Sequence, residues 1–119
     1  LRTSGSAADI REAYLEGIEA SFDEFGADGY SAYVAQSSVD PGAGNITLEQ
    51  IMTQKYIGLF VQPEAYSDWR RTGIPSLSPV SGSVVPVRWP IGSDEILFNS
   101  NAPREGDVNI FTDNVGWDR

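Results

Sequence analysis

A chain of 119 residues holds one domain at most, with room for a modest core. Eight Lys and Arg stand against 17 Asp and Glu, a formal charge of −9, which argues against nucleic acid as a partner because phosphate backbones are repelled. With no cysteine and no histidine the chain has no disulfide, no thiolate chemistry, no Ser-His-Asp triad and no histidine-bound zinc.

The amino-terminal stretch predicts a helix capped by Ser6 or Asp9, running to about Phe25 and stopped by Gly26. Ile10, Tyr14, Ile18, Phe22 and Phe25 fall on one face, and Asp9, Glu12, Glu16, Glu19 and Asp23 form an acidic stripe on the others. The stripe reads as a solvated face: spaced carboxylates on a helix do not converge into a calcium cage. Residues 27–29 break the chain, and residues 30–36 fit a helix of two turns. Residues 37–45, with Pro41, Gly42 and Gly44, read as a turn-rich connection. Its Gly42-Ala43-Gly44 lacks the strand and lysine of a phosphate-binding loop.

The central stretch is TLEQIMTQKYIGLFVQPEAYSDWRRTG, residues 47–73. Thr47 with Gln50 is a capping box, and Leu48, Ile51, Met52, Tyr56, Leu59 and Phe60 recur at helical spacing. Pro63 should end this helix near Val61 or Gln62, and a second short helix should begin at Glu64 and close at Gly73. Two helices so closely linked are expected to pack as a hairpin, with Tyr56, Tyr66 and Trp69 as core. After Gly73 the character changes. Five of the seven prolines lie in the last 46 residues, where no window keeps a helical period. The expectation is an irregular arm that docks through Val85, Val87, Trp89, Ile96, Leu97 and Phe98, with residues 84–89 extended and Pro86 excluding a central strand.

These residues carry a resemblance. The run IMTQKYIGLFVQPEAYSDWRRTGIPSL, then VVPVRWPIGSDEILFNSN and the terminal NVGWDR, resembles the carboxyl-terminal end of the SusD/RagB family in block order and approximate spacing over residues 46–119. Ile91 and Gly92 stand where the family tends to have a tyrosine, and Gly116 precedes Trp117 where it often has paired tryptophans. The resemblance implies a mainly α fold: a SusD-like helical segment beside tetratricopeptide-like helices, with a long Pro/Gly-rich carboxyl-terminal arm. It divides as helix and connection (1–45), helical hairpin (46–73) and extended arm (74–119), all within the last part of one SusD-like domain.

For function, the resemblance implies a non-catalytic surface lipoprotein of Bacteroidetes outer membranes. Such a protein binds a glycan or another nutrient, such as a peptide, and passes it to a SusC-like TonB-dependent transporter. No cofactor is implied. The chain opens on Leu1 before a polar run and has no apolar stretch of membrane-spanning length, so any anchor is expected upstream of it, and the resemblance implies that this anchor is a lipid.

The acid pairs Asp23 and Glu24, Asp94 and Glu95, Glu105 and Asp107, and Asp113 and Asp118 are the candidates for carboxylate chemistry. Glycoside cleavage needs two carboxyls converging on one bond, which adjacency in sequence does not supply. Arg70, Arg71 and Arg88 read as an arginine network tying the arm to the hairpin, or as a site for an acidic sugar or a peptide carboxylate. Trp89, Trp117 and Arg88 are the candidate ligand-binding residues, the two indoles as platforms for a pyranose face. Asn99, Asn101 and Asn109 serve a ligand or, by default, their own turns. The alternative function is a small acidic helical interaction module that meets a basic partner.

Overall fold

The computed structural model describes residues 5–104 and 106–116. Five helices occur among them: α1 (Ala7–Phe25), α2 (Tyr30–Val34), α3 (Leu48–Gly58), α4 (Pro63–Thr72) and α5 (Ser93–Phe98). The described residues contain no strand, and the fold is mainly α with a long irregular stretch after α4. No helix among them is long and apolar enough to cross a membrane. The chain divides into two compact units, Leu1–Asp68 and Trp69–Arg119.

In the first unit, the predicted capping box at Thr47 forms, and of the two caps expected for α1 Ser6 is the one used, with Asp9 completing a second capping box. Ser6 Oγ accepts from the Asp9 N–H while the Asp9 carboxylate accepts from the Ser6 N–H; Thr47 and Gln50 repeat the arrangement at the start of α3. α1 ends as expected at Gly26, whose φ of 59° lets its N–H reach the Asp23 carbonyl and the Ala27 N–H reach the Phe22 carbonyl. That is a Schellman closure, and it satisfies carbonyls the helix would otherwise leave open.

α1 is the floor of this unit, with α2 and α3 packed on it. Its apolar stripe grades along its length: Tyr14 and Ile18 are buried, Ile10 and Phe22 half-buried, and Phe25 is 51% exposed. Phe22 meets the rings of Tyr30 and Tyr33 at centroid distances of 5.7 and 5.5 Å. The third member of the core, Val39, comes from the connection that the turn residues had marked only as a linker. Tyr14 Oη donates to the Val39 carbonyl (2.7 Å), so the buried hydroxyl and the buried carbonyl satisfy each other. Burial holds the Tyr14 phenol above its usual pKa.

One residue further on, Arg11 of α1 grips Asp40 in a fork. Its Nε reaches both carboxylate oxygens (2.8 and 3.0 Å), and its terminal nitrogen forms an ion pair with Oδ2. Asp40 Oδ1 also accepts from the Gly42 N–H (3.1 Å), closing the turn at Pro41. The hydrogen bonds from Arg11, then that from Gly42, hold the Asp40 carboxyl below the usual carboxylate range against the opposing effect of desolvation.

α3 departs from expectation in two ways. It stops at Gly58 instead of running to Val61 or Gln62: after the Leu59 N–H reaches back to Lys55, the chain tightens through Phe60 N–H to Ile57 and Gln62 N–H to Leu59. Val61 sits between these bonds at φ 60°, a left-handed conformation costly for a β-branched side chain. The turn is needed because Pro63 disfavours a helical residue before it, and Pro63 itself becomes the first residue of α4, where no N–H is required. The apolar face of α3 is also poorly covered. Of its expected stripe only Met52 is buried, while Leu48 is 60% and Phe60 66% exposed; Tyr56, Tyr66 and Trp69, expected as core, are half-buried. The Lys55 ammonium, in the last turn of α3, is ion-paired with Asp68 of α4.

In the second unit, α4 ends at Gly73 (φ 68°), whose N–H reaches the Trp69 carbonyl at 2.7 Å. The Ile74–Pro75 peptide is cis. The arm that follows is irregular except for α5, a helix of six residues that the proline-rich sequence did not announce. Asp94 and Glu95 fall in its first turn, where negative charge is favoured. Of the residues expected to dock, Val85 and Val87 are half-buried, but Leu97 and Phe98 are 73% and 85% exposed.

Two measurements test this account of the first unit. Tyr14→Phe should lower stability by about 1–2 kcal/mol, because the Val39 carbonyl stays buried without its donor; a denaturation midpoint unchanged from wild type would refute it. Asp40 should generate an acid transition. Its folded pKa is depressed, so its contribution is complete above the unfolded carboxylate value of about 4 and is lost as pH falls through the lower folded value. Midpoints recorded between neutral pH and acid should show this loss in wild type and not in Asp40→Asn, which starts less stable at neutral pH.

Candidate functional site

The candidate ligand residues Arg88 and Trp89 end a stretch fastened from both sides. Arg70, in the last turn of α4, donates through Nη1 to the Val87 carbonyl (3.1 Å), and the Val87 N–H donates to the Ile110 carbonyl (2.8 Å). Arg70 thus makes the link from α4 to the arm that the arginine pattern predicts. Pro86 has no N–H to donate, and this segment, expected to be extended, is irregular with bends at Val84, Val87 and Arg88, and is joined to the tail through Val87.

Arg88 is half-buried, and its Nε is enclosed without a hydrogen-bond partner among the described residues. Trp89 is 66% exposed, an unusual position for a large indole and a suitable one for stacking on a flat apolar face. Trp117 lies outside the described residues.

Immediately after Trp89 the chain enters a cleft of about 460 Å³, lined by Pro90, Ile91, Ile96, Leu97, Val108 and Ile110, with Ser93 and Arg104 as its hydroxyl and cation. An apolar cleft with a few polar groups at its edge can orient a small molecule through those groups and hold it by shape. Arg104 and Ser93 carried no signal in the sequence, since an isolated arginine and serine in a proline-rich arm have no diagnostic spacing.

The remaining sequence candidates are placed apart or used locally. Asn99 Oδ1 accepts from the Asn101 N–H (2.9 Å) and Asn109 Oδ1 from the Phe111 N–H (3.0 Å), both turn closures. Asp107 accepts from the Arg104 N–H (2.7 Å) and Asp113 from the Asn109 N–H (2.8 Å). Asp23, Glu24, Asp94 and Glu95 are exposed on helices; Glu105 and Asp118 lie outside the described residues. No group of acids that could hold a metal ion occurs among the described residues.

Comparison with known proteins decides the family. A family model for SusD-like proteins, described as starch-binding and associating with the outer membrane, matches residues 3–90. The chain belongs to the SusD-like family. The match takes in α1 and α2, which the motif blocks had not included, and it reaches Trp89. SusD-like proteins bind their ligands without transforming them. No curated protein and no solved structure matches the chain.

Removing the α4 anchor should loosen this segment. Arg70→Ala is expected to cost about 1 kcal/mol locally, below the usual range for a bond from a charged donor because the guanidinium is partly solvated. Amide exchange at Val87 should then quicken by about fivefold. Unchanged exchange would show that the Arg70 bond does not hold the segment.

Proposed function

We propose that this chain is part of a non-catalytic surface protein that binds glycan at the outer membrane and delivers it to a TonB-dependent transporter of the SusC type. The observation that carries the reading is the family match over residues 3–90, which includes the strongly exposed Trp89. In this reading Trp89 stacks on a pyranose face, Ser93 and Arg104 bind sugar hydroxyls at the edge of the neighbouring cleft, and Arg88 presents its half-buried guanidinium beside the indole. A flat ring supplies affinity for the apolar face of a sugar, and the polar groups fix its orientation.

Within this reading the chain is the carboxyl-terminal part of one SusD-like domain, divided at residues 45/46 and 73/74. Its lipid anchor belongs to sequence outside this segment, and its place is the cell surface. Nothing in the charge opposes a neutral sugar as ligand. The same charge disfavours polyanionic ligands.

The test is titration calorimetry with starch-derived malto-oligosaccharides, followed in parallel by tryptophan fluorescence. Binding is expected, with Trp89→Ala weakening it at least tenfold, or about 1.4 kcal/mol. Equal affinity of wild type and Trp89→Ala would remove Trp89 from the site. If these sugars do not bind but a peptide does, the glycan reading fails.

A further inference from the structure

The cleft beside Trp89 holds a charge that a neutral sugar does not need. Its lining falls wholly within the second unit, and among the described residues Arg104 is the charged side chain of that lining. Arg104 is exposed, and its guanidinium makes no ion pair among the described residues. Its backbone N–H, not its side chain, engages Asp107 (2.7 Å). Arg88 stands two residues before Pro90 of the lining; it is half-buried, and its enclosed Nε also lacks a partner among the described residues. A guanidinium that has lost part of its hydration gains most from an anion that replaces the water.

Open arginines are unexpected in so acidic a chain. Seventeen Asp and Glu face eight Lys and Arg, so carboxylates are in surplus. In the first unit that surplus is used: Arg11 pairs with Asp40 and Lys55 with Asp68. In the arm the acids turn to neighbouring donors instead. Glu95 accepts from Asn99 Nδ2, Asp107 from the Arg104 N–H and Asp113 from the Asn109 N–H. The cleft also differs from an apolar packing seam. Covering it with a further apolar face would bury Arg104 unpaired, which is costly.

We propose that the cleft takes a glycan whose terminal sugar carries a carboxylate, with Arg104 as the group that binds it and Arg88 as the second cation; this rests on the glycan-binding role proposed for the chain. The planar fork of an arginine meets a carboxylate through two parallel hydrogen bonds, a match that a neutral hydroxymethyl group cannot make. Ile91, Ile96 and Ile110 wall the cleft and keep water from one side of that pair, which strengthens it. Trp89 keeps its role under the sugar ring. The chain's charge of −9 sets the other limit: a long polyuronate would bring many like charges against it, so a single acidic end is the favoured ligand.

The experiment uses the whole chain and a matched pair of trisaccharides, maltotriose and maltotriose whose terminal hydroxymethyl group is oxidised to a carboxylate. In calorimetry at neutral pH and low salt the acidic sugar should bind about tenfold more tightly, and its advantage should shrink as salt is added. Arg104→Ala should reduce that advantage to about twofold or less. Arg104 is exposed, so this variant should fold, which circular dichroism verifies. Equal or tighter binding of the neutral sugar would overturn the inference and leave the glycan reading standing. An undiminished preference in folded Arg104→Ala would overturn it as well. Binding of neither sugar would remove the glycan reading and this inference together.

Discussion

The first unit depends on the fastening of the 35–46 connection to α1. A short helix such as α2 cannot hold itself in water, and α1 alone has one apolar stripe and nothing to cover it. Val39 supplies the cover, the Tyr14 hydroxyl satisfies the backbone carbonyl that enters the core with it, and the Arg11 fork fixes the next residue, Asp40. The Asp40 carboxylate then shapes the turn through Gly42, and Gln50 Nε2 of α3 reaches the Ser38 carbonyl (3.3 Å). The Tyr14 bond satisfies a carbonyl that burial would otherwise strand, and the Arg11 fork answers the half-buried Asp40 carboxylate. Polar satisfaction, more than apolar area, therefore decides where the connection lies.

The core built this way is small. Tyr14, Ile18, Val39 and Met52 are the buried hydrophobic residues among those described, and each contributes about 1.5–3 kcal/mol by leaving water. Much of the remaining apolar surface stays outside: Leu48, Ile57, Phe60 and Val61 on and after α3, and Leu97 and Phe98 in the arm, are all at least half exposed. Large apolar residues scattered singly need no explanation, but Phe25, Ile57 and Phe60 line one groove together.

What the sequence made legible was local chemistry with a fixed offset. Ser6 as a cap, Thr47 with Gln50, and the glycines after α1 and α4 act within a few residues of themselves and stand where the spacing puts them, whereas Asp9, offered as an alternative cap, instead reaches back to Ser6. Pairings across long separations were not legible. Arg11 and Asp40 are 29 residues apart, and Tyr14 and Val39 are 25 apart, with no motif linking them. The end of α3 was misplaced because proline marks only the latest point at which a helix can stop, and the tightened turn at Val61 comes first. Burial was overestimated for Tyr56, Tyr66 and Trp69 because periodicity identifies an apolar face without saying what covers it. For the site, exposure separates Trp89 from Trp69, but Ser93 and Arg104 became visible only once the cleft was formed.

The distribution of charge links fold to function. A neutral oligosaccharide exerts no long-range field, so a binding site for one has no use for a net −8 on residues 1–68, and residues 69–119, with 6 acids against 5 bases, are nearly balanced. Self-repulsion in a compact unit also costs stability. The acidic excess of residues 1–68 is therefore a cost in stability that the binding of a neutral sugar does not offset.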